Sequence, residues 1–394
     1  MKKQDQIQSI LERNVETIIV KDELEKRLQG TKKLRVKFGI DPTGDKIHIG
    51  HAVIYWKLLQ LQDLGHQIII LIGDYTAVIG DNSDKQAERQ QITVDEVKQN
   101  MRSYLKQIGK IVDLEKAEVR YNSEWLKKLS FLDLLDLSSQ FKVAQILERD
   151  NFRERYEAEK PIGLQEFLYP LMQGYDSVAL RADLELGGSE QLFNMMAGRV
   201  LQKRADQKPQ AVMTLQLLVG TDGKKMSKSQ PNCIFVTDDP VEMYGKLMTV
   251  NDELIPHYYR LATDVDEDQI KAVEADMATG SNPRDTKASL ARTVVARYYG
   301  EKAAVSAEDS WNKQFRDNEM PTDVEVYLAV DKELADPIGL LANAFGVTKS
   351  EIRRLIDQGG LKLDGEAVTT IDDLTIRHGV IAQLGKRRFK QIRL

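Results

Sequence analysis

The chain has 394 residues, a net charge of −5, 42% apolar and 30% charged residues, the balance of a globular protein long enough for two or three domains and a sizeable core. Its single cysteine, Cys233, excludes an internal disulfide and a cysteine-held zinc site, and five histidines are too few for a histidine-rich metal site. The acidic balance excludes a uniformly basic nucleic-acid coat but leaves a local basic face open. The longest apolar run, Ile68 to Ile72, is strand-sized, and the charged amphipathic N-terminus is unlike a secretory signal, so the expected compartment is the cytoplasm.

Residues 33 to 41, KLRVKFGID, alternate so that Leu34, Val36, Phe38 and Ile40 share one side and Lys37, Gly39 and Asp41 the other, which predicts a strand. The turn DPTGDK leads into a helix from about Ile49 to Leu64, and QIIILIGD follows as a buried strand. With helical patterns near 86–108 and 189–204, this order implies an α/β fold, a parallel sheet covered by helices with its ligand beyond the C-terminal strand ends. Residues 123–180 are helical and charged, an insertion between two sheet halves. The strand-like QAVMTLQLLVG then enters the lysine-rich loop TDGKKMSKSQPN, which closes a first domain at residue 232. Residues 233–329 have helical spacing and form a small bundle. The last unit, 330–394, holds two helices, an Asp-Gly hairpin signal in LKLDGEAV, and a basic terminus with Lys386, Arg387, Arg388, Lys390 and Arg393.

Two short segments carry the chemistry. In DPTGDKIHIGHAV, His48 and His51 flank Gly50 where a loop enters a helix, and a helix start offers N–H groups and a positive dipole end to phosphate. Gly50, with no side chain, lets a flat base approach the backbone. The second is KMSKS, Lys225 to Ser229, on a loop that follows a strand of the same domain. Either segment alone is commonplace, a chance helix start or a solvated lysine loop. Together, HIGH and KMSKS resemble the class I aminoacyl-tRNA synthetases, which implies a Rossmann-like catalytic sheet, ATP with Mg²⁺ as substrate and no tightly bound cofactor. By that resemblance His48, His51 and Thr43 bind the phosphates, and Lys225 and Lys228 close over the departing pyrophosphate with Met226 and Ser227 between them. Removing one such donor costs on the order of 3 kcal/mol, about a hundredfold in rate. Phe38, Gly39 and Asp41 take ATP-side positions.

A third segment, YPLMQGYD, places Tyr169, Gln173 and Asp176 at helical offsets of four and seven, on one face among apolar neighbours, with Pro170 marking a helix start or kink. Buried polar groups need partners, which favours a pocket over a solvent face. The segment resembles the tyrosyl-tRNA synthetases, in which the matching tyrosine and glutamine bind the substrate ammonium and the matching aspartate accepts the phenol hydrogen bond. Asp81 matches another ammonium ligand and Asn122 a polar contact near the substrate. LELGGSEQ matches the loop against ribose and amino acid, through Gly188, Glu190 and Gln191. Lys85 and Arg89 match a basic loop that helps pyrophosphate leave, or are solvated charges on a helix start. The tail is similar to the RNA-binding fold of ribosomal protein S-four, so Arg353 and Arg354, with Lys386, Arg387 and Arg388, are expected to meet tyrosine tRNA. The family further implies a homodimer through the insertion near 123–165.

The chain departs from the family at Lys37, where many members have a tyrosine against the substrate phenol. Lys37 either donates to the phenol oxygen beside Asp176 or points to solvent. Phe38 and Glu190 also differ from the commonest residues at their positions. The rival readings are a tryptophanyl-tRNA synthetase, disfavoured by GGSEQ and the tail, a catalytically silent RNA-binding regulator, disfavoured by the intact motif residues, and a small-molecule adenylyltransferase, disfavoured by the helical and RNA-binding units.

Overall fold

The computed structural model describes residues 2–78, 94–226, 230–315, 324–330, 333–334, 336–368, 370–371, 374–385 and 388–393. The chain forms two compact units, Met1–Ala304 and Val305–Leu394.

The first unit opens with α1 (Lys3–Glu12), β1 (Val15–Ile19) and α2 (Lys21–Gln29), followed by β2 (Arg35–Ile40), α3 (Ile49–Asp63), β3 (Gln67–Ile72), α4 (Val94–Ile108) and β4 (Glu118–Tyr121). A helical stretch comes next: α5 (Ser123–Leu126), α6 (Phe131–Ser139), α7 (Val143–Leu147), α8 (Asp150–Glu157) and α9 (Leu164–Leu180). Then β5 (Leu184–Gly188), α10 (Leu192–Arg204) and β6 (Ala211–Leu215) complete the sheet, and α11 (Pro240–Leu247), α12 (Ile255–Ala262), α13 (Glu267–Ala278) and α14 (Pro283–Tyr299) follow. Helix α15 (Glu301–Phe315) carries the boundary between the units.

The sheet order is β1-β6-β5-β2-β3-β4. Strands β6, β5, β2, β3 and β4 run parallel, as the strand–helix–strand order predicts, whereas β1 pairs antiparallel with β6. This edge strand is a departure from the all-parallel expectation. VETII is short and adjoins a left-handed Val20 (φ 63°), so its hydrophobic pattern alone gave no signal. From β2 the chain winds outward through β3 and β4, then returns to β5 and β6 on the other side. The order therefore reverses between β2 and β5, and the crevice at their C-terminal ends is where such sheets hold ligands.

Alternation decides the two faces of β2. Val36 and Phe38 join Ile68, Ile70, Leu184, Leu186 and Met213 in the main core, covered by Leu24 of α2, Tyr55 and Leu58 of α3, and Ile108 of α4. Each such fully buried side chain contributes about 1.5–3 kcal/mol. On the opposite face Ile69 and Leu71 meet Leu180 of α9, and Lys37 and Glu185 lie on this side too. Helix α9 packs closely on α10, where a side chain at Gly174 would press on the α10 backbone at Ala197 and Gly198. Pro170 lies inside α9 rather than at its start, because Gly163 in an extended conformation begins the helix and Glu166 accepts its N–H at 2.8 Å.

The second unit contains β7 (Val326–Leu328), α16 (Pro337–Phe345), α17 (Lys349–Asp357), β8 (Leu361–Leu363), β9 (Glu366–Ala367), β10 (Ile381–Leu384) and β11 (Arg388–Arg393), with sheet order β7-β11-β10-β8-β9. Asp364 and Gly365, both at positive φ, make the tight turn that the Asp-Gly pair predicts between β8 and β9. Leu340, Leu341, Ile352, Ile356, Ala382 and Ile392 form this unit's own core.

Candidate active site

The β2–α3 connection forms one wall of the crevice. His48 is the N-cap of α3, and its extended backbone stops the helix from starting earlier. Its Nδ1 accepts from the His51 N–H at 3.3 Å, and the two imidazoles stack at 3.7 Å. An accepting Nδ1 leaves the proton of a neutral His48 on Nε2, where it is a donor. The space beside Gly50 is already filled: an added Cβ would lie 2.9 Å from the His48 ring and 3.1 Å from the Leu218 carbonyl. The glycine is thus required by the protein's own packing. The stretch after the lysine loop is laced to this helix start, since Ile49 donates to Ile234 O at 2.9 Å and Val236 to Ile47 O at 2.9 Å. Lys225 and the buried Met226 enter that stretch. Thr43 sits in the connection, its N–H on Asp41 O at 2.8 Å.

A continuous hydrogen-bonded chain crosses the floor. Tyr169 of α9 donates to Asp41 Oδ2 at 2.8 Å, and Thr76 donates to Asp41 Oδ1 at 2.8 Å. Asn122 Nδ2 donates to Thr76 Oγ1 at 3.0 Å and reaches Asp176 Oδ2 at 3.5 Å, while Trp125 Nε1 donates to Asp176 Oδ1 at 2.7 Å. The helical spacing of Tyr169, Gln173 and Asp176 does place all three on the crevice side of α9. Burial pushes the Asp176 carboxyl up to about 7, against Lys37, Trp125 and Asn122, which favour its ionised form.

Lys37 faces the Asp41 side, as alternation predicts, but its ammonium goes neither to solvent nor to an open position beside Asp176. It is fully buried and meets three acceptors: Glu185 Oε1 at 2.9 Å, Ser177 Oγ at 2.9 Å and Gln173 O at 3.0 Å. An ammonium has three N–H donors, so these contacts use its capacity. Gln173 is bound on both sides of its amide, donating to Glu185 at 3.1 Å and accepting from Asn194 at 2.9 Å. Gly39 and Phe38 continue β2 towards the crevice, Gly188 ends β5, and Glu190 and Gln191 lie in the single 3-10 turn that follows, Glu190 exposed. A shallow depression of about 610 Å³ lined by Leu59, Leu105 and Val112 lies on the α3–α4 side of the sheet and contains none of these groups.

In the second unit Arg353 and Arg354 are exposed on α17, and Arg388 at the start of β11 reaches Glu351 at 3.3 Å. Of the expected site residues, Asp81, Lys85, Arg89, Ser227, Lys228, Lys386 and Arg387 lie outside the described residues.

The model of class I tRNA synthetases of the tryptophan and tyrosine type matches residues 29–316. The chain belongs to this family. Among its relatives, the tyrosine–tRNA ligase of Moorella thermoacetica is 43% identical over 390 residues, covering 97% of this chain and 94% of its own. That of Thermotoga maritima is 44% identical over 387 residues, covering 97% and 96%. The fold is also that of solved structures. A C-terminally truncated mitochondrial tyrosyl-tRNA synthetase from Aspergillus nidulans superposes with a TM-score of 0.65 at 23% identity, over 79% of this chain and 94% of that one. A tyrosyl-tRNA synthetase from Archaeoglobus fulgidus complexed with L-tyrosine gives 0.60 at 24%, over 78% and 100%.

In this class I synthetase, several residues of the site had no motif to announce them: Gly73, Thr76, Trp125, Ser177, Glu185, Asn194 and Gln210. A side chain at Gly73 would overlap the Asp41 carboxylate and the Thr76 hydroxyl. Trp125 is the strongest donor to Asp176, from a four-residue helix inside the charged insertion. The available signals were Glu185 and Lys37 themselves, each a charge with apolar residues immediately on both sides in its strand.

Proposed function

We infer that this chain is a tyrosine–tRNA ligase: it activates tyrosine with ATP to tyrosyl-adenylate and pyrophosphate, then transfers tyrosine to the terminal ribose of tyrosine tRNA. The observation that carries the amino acid is Asp176, a buried carboxylate on the crevice face of α9. A phenol hydroxyl donates to it, whereas phenylalanine would leave a desolvated acceptor without its partner. The activation step moves no proton. The substrate carboxylate attacks the α-phosphate, and catalysis consists of alignment and of charge opposite the leaving pyrophosphate.

His48, through Nε2, and His51 at the start of α3 are suited to donate to phosphoryl oxygens, with Thr43 beside them and Lys225 and Lys228 supplying positive charge. ATP enters as its magnesium complex, a substrate rather than a resident metal centre. Phe38, Gly39, Gly188 and Glu190 border the nucleotide, and Tyr169, Gln173, Gln191 and Asp81 the amino acid's polar end. Lys85 and Arg89 assist pyrophosphate departure.

Helices α11 to α15 serve as the anticodon-side domain, and the exposed Arg353, Arg354 and Arg388 of the second unit meet tRNA phosphates. The protein acts as a homodimer. Phe131 and Leu132 of α6 are 74% and 75% exposed, and Val143 and Leu164 are exposed as well, apolar groups within the 123–165 insertion that suit burial against a second copy. Among the described residues no helix is long and apolar enough to cross a membrane, and the substrates place the work in the cytoplasm. Amino-acid-dependent ATP–pyrophosphate exchange tests the assignment. Exchange is expected with tyrosine, and exchange with tryptophan instead, or with no amino acid, overturns it.

A further inference from the structure

The order reversal of the sheet brings β2 and β5 side by side, and their register pairs Lys37 directly with Glu185. Both are buried, at 0% and 1% exposure, with 2.9 Å between Nζ and Oε1. Glu185 collects four donors: Lys37 and Gln173 on Oε1, and Ser177 and Gln210 on Oε2. Ser177 accepts from Lys37 and donates its hydroxyl hydrogen to Glu185, closing the ring. Desolvating two charges offsets most of their attraction, so apolar residues of similar volume would hold these strands as well. What apolar residues cannot do is impose a direction.

An ionised carboxylate only accepts, so the Gln173 amide must turn its NH₂ towards Glu185. The flipped amide would set oxygen against oxygen there and NH₂ against NH₂ at Asn194. Gln173 Oε1 is thereby fixed on the other side of the amide, with one lone pair on Asn194 and a second available to a cation at the half-buried surface of α9. One turn along the helix stands Asp176. Among the described residues the charges acting on it are Lys37 from β2, which favours its ionised form, and Glu185 from β5, which opposes it. Its neighbours from α5 and the preceding loop, Trp125 and Asn122, are neutral donors, and Asp41 is three hydrogen bonds away through Asn122 and Thr76.

We propose that Lys37 and Glu185 act as one positioning pair for amino-acid recognition: Glu185 locks the Gln173 amide so that its oxygen faces the substrate ammonium, and Lys37 balances the charge of Glu185 beneath Asp176. The pair touches no substrate atom and works through two residues that do. This rests on the tyrosine reading above, and on it the lysine that stands where many members have a tyrosine exchanges a direct phenol contact for a buried charge pair that sets the contacts of others.

The test uses the full-length protein with Glu185→Gln, Lys37→Met and the double variant, assayed by tyrosine-dependent exchange and by tyrosine titration across pH without ATP. Each single variant is expected to raise KM for tyrosine about tenfold and leave KM for ATP and kcat within about twofold, because a lone buried charge remains and, in Glu185→Gln, the amide also loses its direction. The double variant, free of unpaired charge but still without the acceptor that turns the amide, recovers only in part, to about fivefold above wild type. The acid limb of tyrosine binding moves to higher pH in Lys37→Met, to lower pH in Glu185→Gln, and little in the double variant. Ser177→Ala, a milder cut in the same ring, raises KM for tyrosine about threefold and serves if a charge variant fails to fold. Additive losses in the double variant, equal effects on tyrosine and ATP, or an unmoved acid limb overturn the proposal. Wild-type exchange with tryptophan rather than tyrosine would instead overturn the functional assignment, so the two failures are separate.

Discussion

Thr76→Val removes one hydroxyl from the middle of the hydrogen-bonded chain that joins Tyr169, Asp41, Thr76, Asn122 and Asp176. Thr76 is 2% exposed, so water does not replace the hydroxyl, and valine matches its shape. The hydroxyl donates to Asp41 at 2.8 Å and accepts from Asn122 at 3.0 Å. A bond to a charged group contributes about 1.5–3 kcal/mol and a neutral one about 1 kcal/mol. Asp41 keeps the Tyr169 hydroxyl and is itself part-exposed, which returns some of the loss through hydration. Asn122 keeps its acceptance from Tyr75 N at 3.0 Å, but its NH₂ is left with only the 3.5 Å reach to Asp176. The expected sum is about 1–2 kcal/mol of stability and about a tenfold weaker tyrosine complex, roughly 1.4 kcal/mol. Calorimetric titration with tyrosine in the absence of ATP, beside a thermal melt, reads both, and Thr76→Ser should restore both. A valine variant that melts early yet binds tyrosine like wild type would refute the reasoning, since the chain would then hold the fold and not the pocket.

Gly73→Ala should weaken tyrosine binding by at least as much, about tenfold or more, because the new methyl displaces Asp41 and Thr76 together; the same titration checks it. Asp176 ties stability to pH. Its carboxyl is raised to about 7 in the folded chain from an ordinary 3.8, so the folded state holds a proton that the unfolded state has released, and stability falls as pH rises through that window. The fall is at most about 4 kcal/mol, and denaturant titrations should find it reduced in Asp176→Asn. Lys57→Met should cost about 2–4 kcal/mol, lowering the melting temperature and leaving KM for tyrosine unchanged. The buried Lys57 ammonium holds Ile10 O at 2.9 Å and Arg13 O at 2.8 Å at the end of α1, on the side of the sheet away from α9.

What the sequence revealed of this site follows the range over which its geometry is set. Tyr169, Gln173 and Asp176 were legible because a helix converts spacing into a shared face within a few residues, and the HIGH stretch because a strand, a turn and a helix start are contiguous. The direction of Lys37 was legible for the same reason, but its partner was not. Glu185 lies 148 positions away, and only the order β5-β2 at the centre of the sheet, together with the register across it, sets the two opposite each other. Thr76, Trp125 and Asn194 escaped notice likewise, each on a different connection and carrying no pattern of its own. One clue did lie in the sequence. Lys37 and Glu185 each sit between apolar residues in strands that the fold buries, and a charge survives in such a place only beside its opposite. The two strands at which the sheet order reverses are the ones these charges interrupt. A lysine where many members of the family have tyrosine, and a buried glutamate in LELGG, were two halves of one feature, visible once the charges are matched before the motifs are.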